Sequence, residues 1–330
     1  MAPVGGLVEV DDAKAWGTKP ADAPSDHVYR INSVGYRAAS FAVNKPEGLI
    51  RIVVLGGSAV FDPNSSDASE NEGNSWPDLV QRDLEADGLG PLEVINAGVP
   101  AHASFDSLGR LHSQLWMYEP DIVLVYHAWN DIKFWKRFEI DPQTPLIERV
   151  HPYNEDQNPF IRYRNGWDRL FCHSQLYVKL RNRYLKSQLK VGLEGRIDPD
   201  ADERASSYGP WGPRQFRLHI ELIADAARNI GALPVLVTQA SLISSENTPA
   251  ERERIGYHYQ LLSHDALVAA LEEANEIIRS IGRDKEIAVI DAAASLNGRA
   301  EMFKDGVHTT PEGSQALAAL VARGLAPHLR

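Results

Sequence analysis

Five short apolar runs alternate with helical segments along this chain of 330 residues. The runs lie at residues 49–55, 93–95, 122–126, 233–238 and 287–290. Strands that alternate with helices form βαβ crossovers, which place the strands in one parallel sheet with helices on both faces. Ligands of such sheets bind at the carboxyl ends of the strands. The pattern therefore predicts an α/β fold and makes the residues after each run candidates for a site.

Apolar stripes mark two of the helices in this pattern. Their members are Phe216, Ile220, Ile223, Ala227 and Ile230 before the fourth run, and Leu317, Leu320, Val321 and Leu325 in the last helix. Steps of three and four residues are typical of a helix with one buried face. Thr310 followed by Pro311 predicts the N-cap and the first residue of the last helix.

The first run ends at Gly56, Gly57 and Ser58. This position places a serine hydroxyl just beyond the carboxyl end of a buried parallel strand. A glycine-rich turn after a strand can also hold a phosphate, but neither G-x-G-x-x-G nor G-x-x-x-x-G-K-[ST] is present here. An activated serine needs further groups, and three later segments supply them in a fixed order.

Two of these segments offer hydrogen-bond donors to a developing oxyanion. Residues 94–100 carry Gly98 at a strand end, where the missing Cβ lets the backbone N–H approach a ligand. Residues 122–131 carry Asn130 just after the third run, and its side-chain amide is another donor. With the N–H of Ser58, these groups form the predicted oxyanion hole.

The last segment, residues 303–313, supplies a base. Asp305 and His308 precede the final helix and therefore lie in a loop. A carboxylate three positions before a histidine can hold the ring in one tautomer, while the other ring nitrogen takes the proton of a serine. The residues thus predict Ser58 as nucleophile, His308 as base and Asp305 as its helper.

Together, these four blocks resemble those of the SGNH (GDSL-type) hydrolase superfamily, in particular a subset with Gly-Gly-Ser in the first block. The corresponding residues here are Ser58, Gly98, Asn130 and His308. Residues 29–37 resemble the stretch that often precedes the first block. Two positions depart from the pattern: Gly57 stands where many members have Asp, and Ala128 stands where the third block often has Gly. Ala128 adds a methyl group near the oxyanion region.

The resemblance implies a three-layer α/β/α, flavodoxin-like fold with a sheet of about five strands and one hydrolase domain over residues 27–330. It implies a serine esterase that cleaves O-acyl esters, O-acetyl esters included, without a cofactor. An O-acyltransferase would use the same residues, and a non-catalytic binding protein on this fold is an alternative from another class. An α/β-hydrolase is excluded, because Ser58 lacks the G-x-S-x-G turn and Asp305 lies beside His308.

The charge balance excludes a general nucleic-acid-binding protein. The formal net charge is -11 at pH 7, whereas phosphate binding needs a basic surface. No run approaches the roughly 18 consecutive apolar residues of a membrane span, and no apolar segment follows Met1. The single cysteine, Cys172, cannot form an intramolecular disulfide. We therefore expect a cytoplasmic enzyme that acts on a small-molecule or carbohydrate ester.

Three segments lie outside the core pattern. Residues 1–26 are rich in Ala, Gly, Pro and Asp and predict a loose arm. The polar loop at residues 62–75 is either solvated or part of a substrate rim; its acidic residues are Asp62, Asp67, Glu70 and Glu72. Residues 132–213 are too many for a structureless loop and predict a helical, aromatic-rich insertion that forms a lid or sets specificity.

A basic segment lies within this insertion. Residues 160–196 hold nine Lys or Arg residues against Asp168 and Glu194. Such a segment either binds an anionic substrate or an acidic partner, or pairs with acidic groups elsewhere in the fold. Both interpretations stay open at the level of sequence.

The histidines give little indication of a metal site. The chain has no H-E-x-x-H motif and no Cys/His cluster with zinc spacing, so we expect no metal. His127 is of interest for a different reason, because it lies three positions before Asn130 at a strand end. With Gly57 and Trp129, it is a candidate for the substrate pocket.

Overall fold

The computed structural model describes residues 29–67, 73–136, 166–171, 174, 176–181, 183, 184 and 204–329. Its centre is a parallel sheet of five strands in the order β2-β1-β3-β4-β5. The strands are β1 (Ile50–Gly56), β2 (Leu92–Gly98), β3 (Ile122–Tyr126), β4 (Leu233–Val237) and β5 (Ala288–Ile290). This order is that of the flavodoxin-like doubly wound folds, which confirms the predicted fold class.

Helices cover both faces of the sheet. They are α1 (Ser58–Phe61), α2 (Trp76–Ala86), α3 (Ser104–Ser113), α4 (Trp129–Lys136), α5 (Gly166–Phe171), α6 (Trp211–Asn229), α7 (Pro249–Arg252), α8 (Tyr257–Gln260), α9 (His264–Lys285), α10 (Ala292–Leu296) and α11 (Pro311–Leu325). Helix α2 packs against α11, while α3, α4 and α9 pack against α6. The fold is therefore a three-layer α/β/α sandwich.

The central strands are apolar because both faces of the sheet are covered. Every residue of β3 is buried, and β1 is buried except at its first residue. The stripe of α6 is buried through Ala227, whereas Ile230 caps the helix and is 37% exposed, so the predicted stripe is one residue too long. Thr310 caps α11 as predicted, with its side-chain oxygen accepting a hydrogen bond from the N–H of Gly313 at 3.1 Å.

Strand register brings the predicted site segments to one edge of the sheet. Gly56, the last residue of β1, is opposite Gly98 of β2 and Tyr126 of β3. The chain continues from these positions into the segments that hold the candidate residues. Three neighbouring strands therefore deliver their following loops to the same place, as expected at the carboxyl edge of such a sheet.

Several sequence predictions fall outside the described residues. These are the arm at residues 1–26, most of the insertion at 132–213, most of the basic segment at 160–196, and Cys172. The described parts of the insertion include the end of α4, helix α5 and a helical stretch at residues 176–181. No helix within the described ranges is long and apolar enough to span a membrane.

The polar loop after α1 is not simply solvated. Its residues Asp62 and Asp67 are 1% and 5% exposed, so neither a solvated loop nor a substrate rim describes them. Glu70 and Glu72 lie outside the described residues. The Asp67 carboxylate binds the buried guanidinium of Arg37 through two hydrogen bonds of 2.8 and 3.3 Å. The pair anchors the loop in the core, because a buried carboxylate requires a charged or hydrogen-bonding partner.

We expect Arg37→Leu to lower the free energy of unfolding by about 3–5 kcal/mol, because it leaves the Asp67 carboxylate buried without its charged partner. Urea denaturation measures this loss. Arg323→Leu, at an exposed position of α11, is the matched control and should change stability by about 0.5 kcal/mol or less. Equal midpoints for the two variants would contradict the anchoring role of the pair.

Candidate active site

Ser58, His308 and Asp305 form one row of hydrogen bonds. Ser58 Oγ lies 2.8 Å from His308 Nε2, and His308 Nδ1 lies 2.7 Å from Asp305 Oδ2. All three residues are partly exposed, so the row is accessible from solvent. The structure therefore brings together the three side chains that we predicted from the sequence as nucleophile, base and helper.

The loop before α11 holds the histidine through the same aspartate. Asp305 Oδ1 accepts hydrogen bonds from the N–H groups of Val307 and His308, each at 2.9 Å, while Oδ2 accepts from the imidazole. The N–H of Lys304 donates to the carbonyl of His308 at 2.8 Å and closes the loop. One carboxylate thus fixes both the backbone and the ring, which explains why the spacing of three residues is useful.

These contacts also fix the protons. Burial raises the pKa of Asp305, but hydrogen bonds and charge from His308 outweigh it, so the net pKa lies below its ordinary value. Asp305 is therefore a carboxylate at neutral pH and can only accept a hydrogen bond. A neutral imidazole consequently carries its proton on Nδ1, which leaves the unprotonated Nε2 facing the Ser58 hydroxyl.

A buried carboxylate links the segment after Ser58 to the segment after His308. Asp62 accepts hydrogen bonds from the hydroxyls of Thr309 at 3.2 Å and Ser314 at 2.8 Å. It also accepts one from the backbone N–H of Trp76 at 2.9 Å. This role is not apparent from the sequence. An aspartate in a polar loop has no sequence pattern that distinguishes a buried hydrogen-bonding residue from a solvated one.

The backbone conformation and the burial of Asp62 are both energetically unfavourable. It caps the C-terminus of α1 with φ at 60°, in the left-handed region that aspartate tolerates better than most residues. Burial raises its pKa, and the charge of Arg37 together with the hydrogen bonds from Ser314 and Trp76 opposes that shift. The hydrogen bonds therefore stabilise an otherwise unfavourable buried group, and the one from Ser314 joins the segment after Ser58 to the segment after His308.

The three predicted oxyanion donors differ in the hydrogen bonds that they make within the described residues. The N–H of Ser58 is at the first turn of α1, and it donates to no acceptor in the described part of the chain. The side-chain amide of Asn130 lies next to Gly57 and donates to the carbonyl of His102 at 2.8 Å. An amide nitrogen has two hydrogens, so one remains for a ligand.

Gly98, the third predicted donor, already has an acceptor for its N–H. Its N–H donates to the side-chain oxygen of Asn96 at 3.0 Å and is therefore already satisfied. A Cβ on Gly98 would overlap the backbone of Val60 and Phe61, so the glycine allows β2 to pack closely against α1. The requirement for glycine at this position is therefore steric.

Ala101 offers another backbone N–H in the turn that follows β2. The turn from Val99 to His102 is closed by a hydrogen bond of 3.1 Å, with Pro100 second and Ala101 third at φ 67°. Pro followed by a residue at positive φ is the arrangement of a type II turn. The N–H of Ala101 has no acceptor among the described residues, and the residue is exposed. No sequence pattern indicates this turn residue, because alanine rarely adopts a positive φ.

A small pocket lies beside Ser58, and its lining includes the candidate pocket residues Gly57, His127 and Trp129. His127 lines this pocket as a neutral side chain. Its Nε2 lies 2.8 Å from Ser107 Oγ, and burial lowers its pKa to about 3. A Cβ on Gly57 would overlap the amide nitrogen of Asn130. The departure from Asp at this position therefore leaves room for the Asn130 amide.

The described residues include no group of three or more His, Cys, Asp or Glu side chains that could hold a metal ion. The site presents a serine hydroxyl, an imidazole and nearby hydrogen-bond donors. Each of these groups follows a strand or precedes α11, so the sheet and the last helix together define their positions.

We expect Asp62→Asn to lower the free energy of unfolding by about 1–3 kcal/mol, because the amide cannot accept every hydrogen bond that the carboxylate accepts. Misplacement of the two linked segments should also slow the reaction of Ser58 with a fluorophosphonate by about 10- to 100-fold. Thermal unfolding and labelling rates measure both effects. Asp83→Asn, at an exposed position of α2, is the control; an unchanged labelling rate in Asp62→Asn would contradict the linking role.

Comparisons with known proteins give similarity at the level of solved structures. No family model matches the chain, and no curated protein matches it. The chain is similar to a lipase/acylhydrolase from Enterococcus faecalis at 19% identity, covering 85% of this chain and 97% of that one, with a TM-score of 0.47. It is also similar to an acetylxylan esterase from Geobacillus stearothermophilus at 13% identity, covering 84% and 94%, with a TM-score of 0.48.

A GDSL-like lipase from Bacteroides thetaiotaomicron is similar at 15% identity, covering 84% of this chain and 89% of that one, with a TM-score of 0.43. The strand order and the two helical layers of the chain itself establish its fold class.

Proposed function

We propose that this protein is a serine esterase of the SGNH (GDSL-type) superfamily that cleaves O-acyl esters by a covalent Ser-His-Asp mechanism. The observation that carries the proposal is the row from Ser58 Oγ through His308 to Asp305, with distances of 2.8 and 2.7 Å. A non-catalytic binding protein would not need an unprotonated imidazole nitrogen aimed at a serine hydroxyl. The row supports nucleophilic catalysis in particular.

In the first half of the reaction, His308 Nε2 takes the proton of Ser58 as Oγ attacks the acyl carbonyl carbon. The carbonyl π electrons move to its oxygen, which becomes the oxyanion of a tetrahedral intermediate. The N–H groups of Ser58 and Ala101 and the remaining amide hydrogen of Asn130 donate to this oxygen. Asp305 stabilises the imidazolium that has formed.

The intermediate then expels the alcohol. The imidazolium of His308 gives its proton to the leaving oxygen, and the acyl group stays on Ser58 as an ester. Water repeats the attack on this ester while His308 takes its proton, and collapse of the second intermediate releases the acid and restores the serine. An acyltransferase would use an alcohol or an amine in place of water at this step.

The substrate that fits this site is a small-molecule or carbohydrate ester. We infer that the small pocket next to Ser58 receives the acyl group. Its lining includes the aromatic rings of Tyr126 and Trp129 and the amide of Gln239. Such a mixture of apolar walls and a few polar groups is typical of small-ligand sites.

We expect Ser58→Ala to remain folded and to lose a factor on the order of 10⁴ or more in kcat for aryl ester hydrolysis, because the triad acts as a unit. The measurement is turnover of short- and long-chain aryl esters by purified protein. Ser113→Ala, at an exposed position of α3, should keep full activity. More than about a tenth of wild-type turnover in a clean Ser58→Ala preparation would exclude Ser58 as the nucleophile.

We expect kcat/KM to rise with pH as the His308 imidazole loses its proton, since only the neutral ring accepts the serine proton. In Asp305→Asn, this rise should move to lower pH, because the imidazolium no longer has a neighbouring negative charge. The variant should also lose up to about 10⁴ in kcat/KM, because the wrong tautomer becomes available. His308→Ala should lose at least as much and show no such pH-dependent rise.

The measurement is kcat/KM across pH for the three proteins. Glu312→Gln, an exposed carboxylate in the first turn of α11, controls for a general change in surface charge and should leave the profile unchanged. If Asp305→Asn has the wild-type rate and profile, the carboxylate does not assist the base.

A further inference from the structure

Lys133 is a buried cation on the helix that carries Asn130. It lies three residues after Asn130 on α4, and only 6% of it is exposed. An ammonium group taken out of water is unfavourable unless hydrogen bonds and nearby electron-rich groups compensate for the lost hydration. The partners of Lys133 therefore indicate what the fold gains from its burial.

Two of these partners belong to the oxyanion region. Lys133 Nζ lies 3.2 Å from the carbonyl oxygen of Ala101 and 3.1 Å from the hydroxyl of Tyr259. The ammonium also lies 5.1 Å from the ring centroid of Phe134 and 5.2 Å from that of Tyr259, within the range of cation–π attraction. Lys133 thus connects α4 to the turn after β2 and to α8.

The ammonium group of Lys133 determines the direction of the hydrogen bonds of Tyr259 and Asn130. An ammonium group donates and cannot accept, so the hydroxyl oxygen of Tyr259 accepts from Lys133. The one hydrogen of that hydroxyl is then free to point to Asn130, whose Oδ1 lies 3.0 Å away. Because Oδ1 takes this bond, the amide nitrogen must face the other way, toward the carbonyl of His102 at 2.8 Å.

The ring of Tyr259 is itself held in place. It stacks on Trp129 with a centroid separation of 6.1 Å and an interplanar angle of 12°. Trp129 is the residue before Asn130 and borders the cavity next to Ser58. The hydroxyl of Tyr259 is therefore positioned by packing as well as by its two hydrogen bonds.

We propose that Lys133 is a positioning residue for the oxyanion hole, which orients the Asn130 amide through Tyr259 and holds the Ala101 turn directly. This inference rests on the proposed esterase function. One ammonium group contacts the Ala101 turn directly and the Asn130 amide through Tyr259, so the orientation of two of the three donors depends on a single buried side chain. The role is distinct from catalysis, since Lys133 acts through Asn130 and the Ala101 backbone.

The test compares Lys133→Met and Tyr259→Phe with wild type in aryl ester hydrolysis. Both variants keep the packed volume and remove the hydrogen bonds. We expect kcat to fall by about 10- to 100-fold with KM changed by about twofold or less, because the donors act mainly in the transition state. Lys136→Met, at the exposed end of α4, and Tyr208→Phe are the matched controls and should retain wild-type kcat.

A double-mutant comparison separates positioning from general stability. In an Asn130→Ala background, Tyr259→Phe should have little further effect on kcat, because the amide that it orients is absent. A residue with a merely structural role would lower kcat by the same factor in both backgrounds. Thermal unfolding shows which variants are folded, and if Lys133→Met does not fold, Tyr259→Phe alone decides.

The outcomes are distinct from those that test the function. Wild-type kcat in Tyr259→Phe, an effect confined to KM, or an equal loss in the Asn130→Ala background would overturn this inference and leave the esterase assignment intact. Absence of Ser58-dependent ester hydrolysis in the wild-type protein would overturn the esterase assignment and this inference together.

Discussion

The contact between Ser58 and His308 joins two segments that are 250 positions apart in the sequence. Their alignment depends on the hydrogen bonds that the buried side chain of Asp62 accepts. One comes from Thr309, the residue after His308, and another comes from Ser314 in α11. Helix α11 also packs against α2, whose first backbone N–H is held by the same carboxylate. The placement of Ser58 relative to His308 thus relies on the buried side chain of Asp62, which the fold stabilises with several donors.

Much of the fold was predictable from the sequence because its signals are local. A buried parallel strand is a continuous apolar run, and all five runs became strands with boundaries shifted by at most a few residues. Thr310 and Pro311 marked the start of α11 for the same reason, since capping depends on adjacent residues. Asp305 and His308 are three residues apart, so their pairing was also a local inference.

The remaining parts of the site depend on contacts that no local pattern encodes. The position of Gly98 at the end of β2 predicts a backbone donor. In the folded chain, however, its N–H donates to Asn96, and helix α1 occupies the space that a Cβ would need. Ala101 was missed, because its positive φ goes against the usual preference for glycine in that turn position. The links from Asp62 to Thr309 and from Tyr259 to Asn130 cross more than 100 positions, so only the folded chain reveals them.

The topology explains why the donors converge. Strand β1 has β2 on one side and β3 on the other, so the chain leaves the sheet in opposite directions on either side of β1 and opens a crevice at its carboxyl end. Ser58 follows β1, Ala101 follows β2 and Asn130 follows β3, so each of three adjacent strands contributes one candidate donor. The sheet sets the distance between these segments through its own strand spacing of about 4.8 Å. Side-chain hydrogen bonds such as those of Lys133 then affect only the orientation of the donors. One ammonium group can therefore orient donors that follow two different strands.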